Sequence, residues 1–322
     1  MAVRCGAGAA SLGCVGRSVL SATGTGKPGI LSHHLWLHIT NMGRMPSAIS
    51  GYVAGLVLQA TQADAFSAIQ DDVLLSSSLW VNIALAGVSI LLFVYMGRNV
   101  TGTRAKMIWG ATLMIPLVSI SSYLGLLSGL TVGFIEMPPG HALAGEEVMS
   151  QWGRYLTWAL STPMILLALG TLADVDKSSL YTVVAADVGM CVTGLAAALV
   201  TSSLAFRWLF YAVSCAFFVV VLYALLTEWP AAAEAAGTDE IFGTLRILTV
   251  VLWLGDPIIW ALGVEGLAIV QSVGVTSWGY SALDVFAKYV FAFLLLRWVA
   301  ANEDTVATPG AGASAAASPA DD

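Results

Sequence analysis

A lysine stands four residues after an aspartate inside the last long apolar stretch, Leu283-Asp284-Val285-Phe286-Ala287-Lys288-Tyr289-Val290-Phe291-Ala292-Phe293-Leu294-Leu295-Leu296. On a helix that spacing puts both side chains on one face. A charge at the centre of a bilayer costs about 2.5–3.5 kcal/mol even by the lenient measure. The pair therefore needs a mutual partner, a water-lined cavity or a covalent use. A lysine amine in a dry pocket condenses with an aldehyde to form a Schiff base. A salt bridge locking two helices fits the same spacing, and this segment alone does not separate the two.

Three more ionisable residues fall inside apolar stretches: Arg154, Asp187 and Asp256. Within a membrane such residues mark functional sites. Arg154, Thr157, Trp158 and Ser161 recur at three- and four-residue steps in Arg154-Tyr155-Leu156-Thr157-Trp158-Ala159-Leu160-Ser161-Thr162-Pro163, so they share one helix face. Trp253, Asp256 and Trp260 share a face of Trp253-Leu254-Gly255-Asp256-Pro257-Ile258-Ile259-Trp260, which Pro257 should kink. Anchoring at the bilayer interface accounts for Trp298 but not for Trp158 and Trp253, which sit nearer mid-span. Aromatic walls around a lysine suit a flat, conjugated ligand.

The elements that carry these residues are legible from composition. The 322 residues are 58% hydrophobic and 10% charged, against about 25% charged in soluble domains. The chain is expected to be an all-α membrane protein, a seven-transmembrane-helix bundle. Seven stretches reach the roughly 20 residues that a spanning helix needs, near 78–97, 107–132, 152–172, 180–201, 206–227, 243–264 and 274–299. Short connections make neighbours antiparallel. Residues 1–75 read as an N-terminal extension, with 1–44 a start-site artefact and Met45 the natural start. Gly51–Leu58 reads at most as a short processed leader. The seven-helix domain covers 76–300, and 301–322 reads as a disordered cytoplasmic tail. His33, His34 and His38 have helical metal spacing but no accompanying carboxylate or cysteine, and no metal is expected. Cys5, Cys14, Cys191 and Cys215 form no disulfide or metal framework.

Arg98, Arg104, Lys106, Lys177, Arg246 and Arg297 gather on one side of the spans, and Glu136, His141, Glu146, Glu147 and Glu265 on the other. The basic side is expected to be cytoplasmic, which puts the N-terminus outside and the C-terminus inside. The net charge of −7 argues against nucleic acid. No cytosolic enzyme motif is present: no phosphate loop, dinucleotide fingerprint or nucleophile elbow.

Leu-Asp-Val-Phe-Ala-Lys in the last span, Arg-Tyr-Leu-Thr-Trp-Ala-Leu-Ser-Thr-Pro in the third and Trp-Leu-Gly-x-Pro with a later Trp in the sixth resemble the microbial rhodopsins, and more narrowly the halorhodopsins, light-driven chloride pumps. The resemblance covers residues 72 to 305. It implies a cell-membrane, light-driven inward halide pump carrying all-trans retinal as a protonated Schiff base on Lys288, with Asp284 as counterion. It implies a chromophore pocket walled by Trp158, Trp253, Trp260, Tyr211, Met190, Ser214 and Thr162. It further implies a chloride (or bromide) site at Arg154, Thr157, Ser161, Trp158 and Lys288, counterion support from Tyr123, and a cytoplasmic exit at Thr249 and Arg246. His141 falls in the outer loop, and Asp187 is expected to be protonated and structural. Lipid contact and a homotrimer are implied as well.

In the same resemblance Thr157 and Ala168 stand where proton pumps carry acceptor and donor aspartates. Asp256 departs from the pattern, occupying the place of a tyrosine that bonds the counterion. A neutral Asp256 could donate to Asp284 as that tyrosine would; an ionised one would neutralise the pocket by itself. Charge counting agrees with an anion site. Schiff base and Arg154 give two positive charges, Asp284 one negative, and Thr157 none. A small mobile anion would close the balance, held by the Thr157 and Ser161 hydroxyls. The other readings are a sensory rhodopsin signalling to a membrane transducer, a proton pump rewired through Asp256, and a retinal-free transporter with a structural Asp284–Lys288 bridge.

Overall fold

The structure, a computed structural model, describes residues 61–307. The start-site segment, the histidine trio, Cys5, Cys14, the Gly51–Leu58 leader and the tail beyond 307 lie outside the described residues.

Seven helices follow a short helical run at 61–71. They are α1 (Val73–Gly97), α2 (Thr103–Leu127), α3 (Gly153–Ala173), α4 (Lys177–Leu199), α5 (Leu204–Tyr223), α6 (Asp239–Leu262) and α7, which begins as Val273–Asp284. Helix α5 continues through a π-helical turn, Ala224–Glu228, to Trp229–Ala235, beyond the expected 227. Helix α7 likewise passes through a π-helical turn, Val285–Val290, before Phe291–Ala301. Six helices among the described residues are each long and apolar enough to cross a membrane. The seventh crosses as three joined segments of 12, 6 and 11 residues. The seven-helix bundle expected from the apolar stretches is therefore present.

Each helix packs on the next in sequence, and α7 returns to pack on α1, closing the ring. The largest core cluster lies toward the α2–α3 connection's opposite end and joins α2 through α7, with Phe93 of α1, Ile165, Leu169, Leu172, Trp229 and Phe291 as members. Large apolar side chains such as Leu91, Leu160, Phe206 and Ile258 face outward. In water that surface would be penalised; against lipid tails it is matched.

Two details depart from expectation. The second span ends at Leu127 rather than 132 because Gly129 takes a positive φ of 74° that reverses the chain. Beyond it a hairpin forms, with β1 (Gly133–Glu136) antiparallel to β2 (Glu147–Ser150) and Phe134 opposite Met149. Nor is the tail structureless from Asn302, for Glu303–Ala307 forms a further helical turn, α8, with Val306 buried.

Glu303 clasps the loop before α2. Its Oε1 accepts from the Thr101 amide and hydroxyl, each at 2.8 Å, and from the Gly102 amide. These bonds to the loop hold the Glu303 carboxyl below the ordinary range. A carboxyl so held favours the closed clasp above its unfolded value, and that preference is lost as pH falls through the folded value. Amide protection factors at Thr101 and Gly102, corrected for intrinsic exchange, should therefore drop on acidification. Glu303→Gln should show the low protection at neutral pH, and equal protection in both proteins would disprove the clasp.

Candidate functional site

The site is a chain of buried polar groups that stitches α7 to α2, α3 and α1. Lys288 is 1% exposed, and its Nζ lies 2.8 Å from Asp284 Oδ1. It sits in the π-helical turn, a local widening that interrupts the usual ladder and is frequent at functional positions. Among the described residues it is the one buried lysine. The other carboxylate oxygen, Asp284 Oδ2, accepts from the Tyr123 hydroxyl at 2.7 Å. Tyr123 Oη in turn accepts from Arg154 Nη1 at 3.3 Å.

Arg154 is 4% exposed. Its Nη2 donates to Ser277 Oγ at 2.7 Å and its Nε to Gln151 Oε1 at 2.6 Å. All three of its hydrogen-bond partners are neutral. No carboxylate pairs with it among the described residues. Ser277 Oγ is shared with Ser78 of α1 at 2.7 Å.

Thr157 and Ser161 follow Arg154 along α3, both buried. Thr157 donates to the Gly153 carbonyl at 3.0 Å and touches the Ser122 hydroxyl. Ser161 Oγ is buried with no hydrogen-bond partner. A buried hydroxyl without a partner is uncommon and calls for a ligand or strain to explain it.

Beside this chain lies a largely aromatic cavity. Trp158 and Thr162 of α3, Met190 of α4, Tyr211 and Ser214 of α5, and Trp253 and Trp260 of α6 all line it, as expected. Tyr211 stacks on Trp260, with ring centroids 4.7 Å apart and planes at 17°. Ser214 Oγ donates to the Met190 carbonyl at 2.8 Å, and Tyr211 Oη to the Pro257 carbonyl at 3.1 Å. Asp187 Oδ2 accepts from Thr162 at 2.7 Å. Lys288 is not part of that wall. Asp256 links the two regions, because it lines the cavity and lies within electrostatic reach of Lys288 and Asp284.

The Asp284 oxygens meet Lys288 and Tyr123, and Asp256, which if neutral could donate to Asp284, makes no hydrogen bond to it. Its helix face explains why: residue 256 turns the way that Trp253 and Trp260 turn, toward the cavity. Thr249 and Arg246, expected at the cytoplasmic exit, are not among the residues that line the cavity. Thr249 is buried and bonds back to the Leu245 carbonyl at 2.9 Å, one turn from Trp253.

His141 sits apart, in the loop between β1 and β2. Its Nε2 is 2.6 Å from the Gly266 carbonyl, and its Nδ1 accepts from the Leu143 amide at 3.1 Å. Burial holds this imidazole below its ordinary pKa, and the neutral ring satisfies both bonds. Nearby, Glu265 accepts from Ser150 at 2.6 Å and from Tyr155 at 3.1 Å, while Arg207 Nε donates to the Glu265 carbonyl at 2.6 Å.

Ser277, Ser78 and Tyr280, whose ring centroid lies 5.2 Å from the Arg154 guanidinium, were missed. Ser277 and Tyr280 precede Asp284 and Lys288 at helical steps, so the face was readable. What it met was not, because Ser78 lies 199 residues away in sequence.

The sequence profile of the bacteriorhodopsin-like protein family matches residues 73–302. This chain belongs to that family. It is 74% identical over 264 residues to halorhodopsin of Halobacterium salinarum, covering 82% of this chain and 95% of that protein. A solved structure described as halorhodopsin, a light-driven chloride pump, is 78% identical with a TM-score of 0.73, covering 74% of this chain and 99% of that one. The bromide-bound form of halorhodopsin from Halobacterium salinarum is likewise 78% identical with a TM-score of 0.73, covering 75% and 100%. The family and the apolar helices make this a multi-pass membrane protein.

Tyr123 joins the counterion to the guanidinium, which gives it a measurable weight. Tyr123→Phe leaves Asp284 Oδ2 and Arg154 Nη1 each short of a buried partner. The loss should be about 1–3 kcal/mol, read as a lower thermal midpoint in detergent. An unchanged midpoint would show that the bond does not matter.

Proposed function

We propose that this chain is a light-driven inward chloride pump that binds all-trans retinal on Lys288 as a protonated Schiff base. The observation that carries the reading is the buried Arg154, which has only neutral hydrogen-bond partners. An uncompensated buried cation is expensive. With the lysine nitrogen also cationic, two positive charges face Asp284 alone, and a dissolved halide completes the set. Ser161, with its unbonded hydroxyl, would donate to it, and Thr157 would join by turning its proton away from the Gly153 carbonyl. Trp158 walls that place from the cavity side.

The residues present fit retinal. The cavity is lined by aromatic rings and adjacent through Asp256 to one buried primary amine. Trp158, Trp253, Trp260 and Tyr211 would clasp a flat chain, with Met190, Ser214 and Thr162 filling its ends. When bound, retinal supplies photon absorption and an isomerisation that redirects the nitrogen's proton.

This chain's own residues do the rest. Asp284 and Tyr123 orient the lysine nitrogen. Arg154 holds an anion on the outer side of it. Ala168 offers no proton and Thr157 accepts none, so a pumped proton has no fixed acceptor or donor on α3. The inner route runs past Thr249 and Arg246, with Pro257 of α6 as the bend, the N-terminus outside and the C-terminus in the cytoplasm. Moving one charge against 100 mV takes about 2.3 kcal/mol, which a photon exceeds many-fold. The outward-facing apolar surface meets lipid and neighbouring copies in a homotrimer.

In vesicles, illumination should drive passive proton uptake that a protonophore enhances, the mark of inward anion transport. Suppression by the protonophore would mean proton pumping and would sink the reading. Lys288→Ala should fail to form pigment with retinal, and Thr157→Asp should convert light-driven chloride uptake into proton release.

A further inference from the structure

Asp256 is left over. Its Oδ1 is buried without a hydrogen-bond partner, on the wall of the cavity. It is within electrostatic reach of Asp284, Lys288 and Arg154. A bare carboxylate in an apolar wall is costly unless a cation compensates it, whereas a carboxylic acid is tolerated. Two cations lie within that reach, and Asp284 balances one of them.

The titratable groups around Asp256 come from four helices. Helix α3 presents Arg154 and Tyr155, and α4 presents Cys191. Helix α5 adds Tyr211 and Cys215, and α7 adds Tyr280 besides Asp284 and Lys288. Phenols and thiols are neutral at moderate pH. Asp284 is committed on both oxygens. Asp256, which makes no hydrogen bond in the structure, can thus gain or lose a charge without breaking one.

We propose that the Asp256 carboxylate and a halide are alternative occupants of the same electrostatic place, so that each halide bound in the dark is accompanied by a proton taken up on Asp256. The inference rests on the halide reading above and adds its regulation. As an acid, Asp256 contributes no charge and the pocket needs an external anion. Ionised, it supplies the missing charge itself. The exchange balances: carboxylate plus proton plus free halide give carboxylic acid plus bound halide. Halide affinity is therefore flat at low pH and falls by about tenfold per pH unit once Asp256 ionises.

The test uses the dark, retinal-loaded full chain. Sodium chloride is titrated against sodium sulfate at constant ionic strength, and the shift of the visible band gives the dissociation constant at each pH. In parallel, chloride is added to an unbuffered sample and proton uptake is recorded. The wild type should lose affinity as pH rises and take up about one proton per halide in that range. Asp256→Asn should bind chloride with pH-independent affinity and no uptake. Asp256→Tyr, a second non-carboxylate, should behave the same if the asparagine variant forms no pigment. PH-independent affinity in the wild type, or a slope that persists in the variants, overturns the coupling while leaving the halide site standing. A band that ignores chloride at every pH overturns both.

Discussion

The buried contact between Lys288 and Asp284 is the constraint to which the surrounding structure answers. Two ions at 2.8 Å in an apolar bundle attract strongly, yet removing them from water costs several kcal/mol apiece. The pair persists only if the remaining lone pairs and protons are satisfied. Tyr123 meets Asp284, Arg154 meets Tyr123, and Ser277 with Ser78 meets Arg154. Each addition recruits another helix, until α1, α2, α3 and α7 are tied through one ion pair. The bundle's helix order around α7 is thus partly an electrostatic consequence.

That chain stops short of neutrality. It ends on a guanidinium whose partners are all uncharged. Hydrogen bonds spread a charge but do not cancel it. Purely structural packing would have been served as well by apolar side chains of similar volume, since a buried ion pair rarely stabilises more than its hydrophobic replacement. Retaining five ionisable residues within the spans, one of them unpaired and another unbonded, makes sense only where charge is to be handled.

Local patterns carried most of what the sequence disclosed. The helices were legible because apolar runs of about 20 residues have one outcome in lipid. The Lys288–Asp284 contact was legible because its partners are four residues apart. The aromatic wall was legible as a face only in Trp253 with Trp260; Thr162, Tyr211, Met190 and Ser214 followed from the resemblance. The hairpin at Gly133–Ser150 was not, because four-residue strands with mixed exposure leave no clear alternation. Neither was the Arg154–Ser277 bond, which joins residues 123 positions apart. For Asp256 the face shared with Trp253 and Trp260 was legible, while the lack of a hydrogen bond to Asp284 depends on how α6 and α7 pack.

A carboxyl differs from a phenol at that position in the one property that matters here. A tyrosine remains neutral up to about pH 10, while an aspartate's ordinary value is about 3.9, so the substitution places a titrating group where a fixed donor would do. Within a pocket whose balance is short by a single charge, such a group has an effect out of proportion to its size. Its environment supplies opposing influences: an apolar wall of Trp253, Trp260 and Pro257 and the nearby Asp284 carboxylate favour the acid, and two cations favour the carboxylate. In the proposed reading a halide compensates the same cations. Whichever anion is present removes the reason for the other, and that reciprocity follows from the charge count alone.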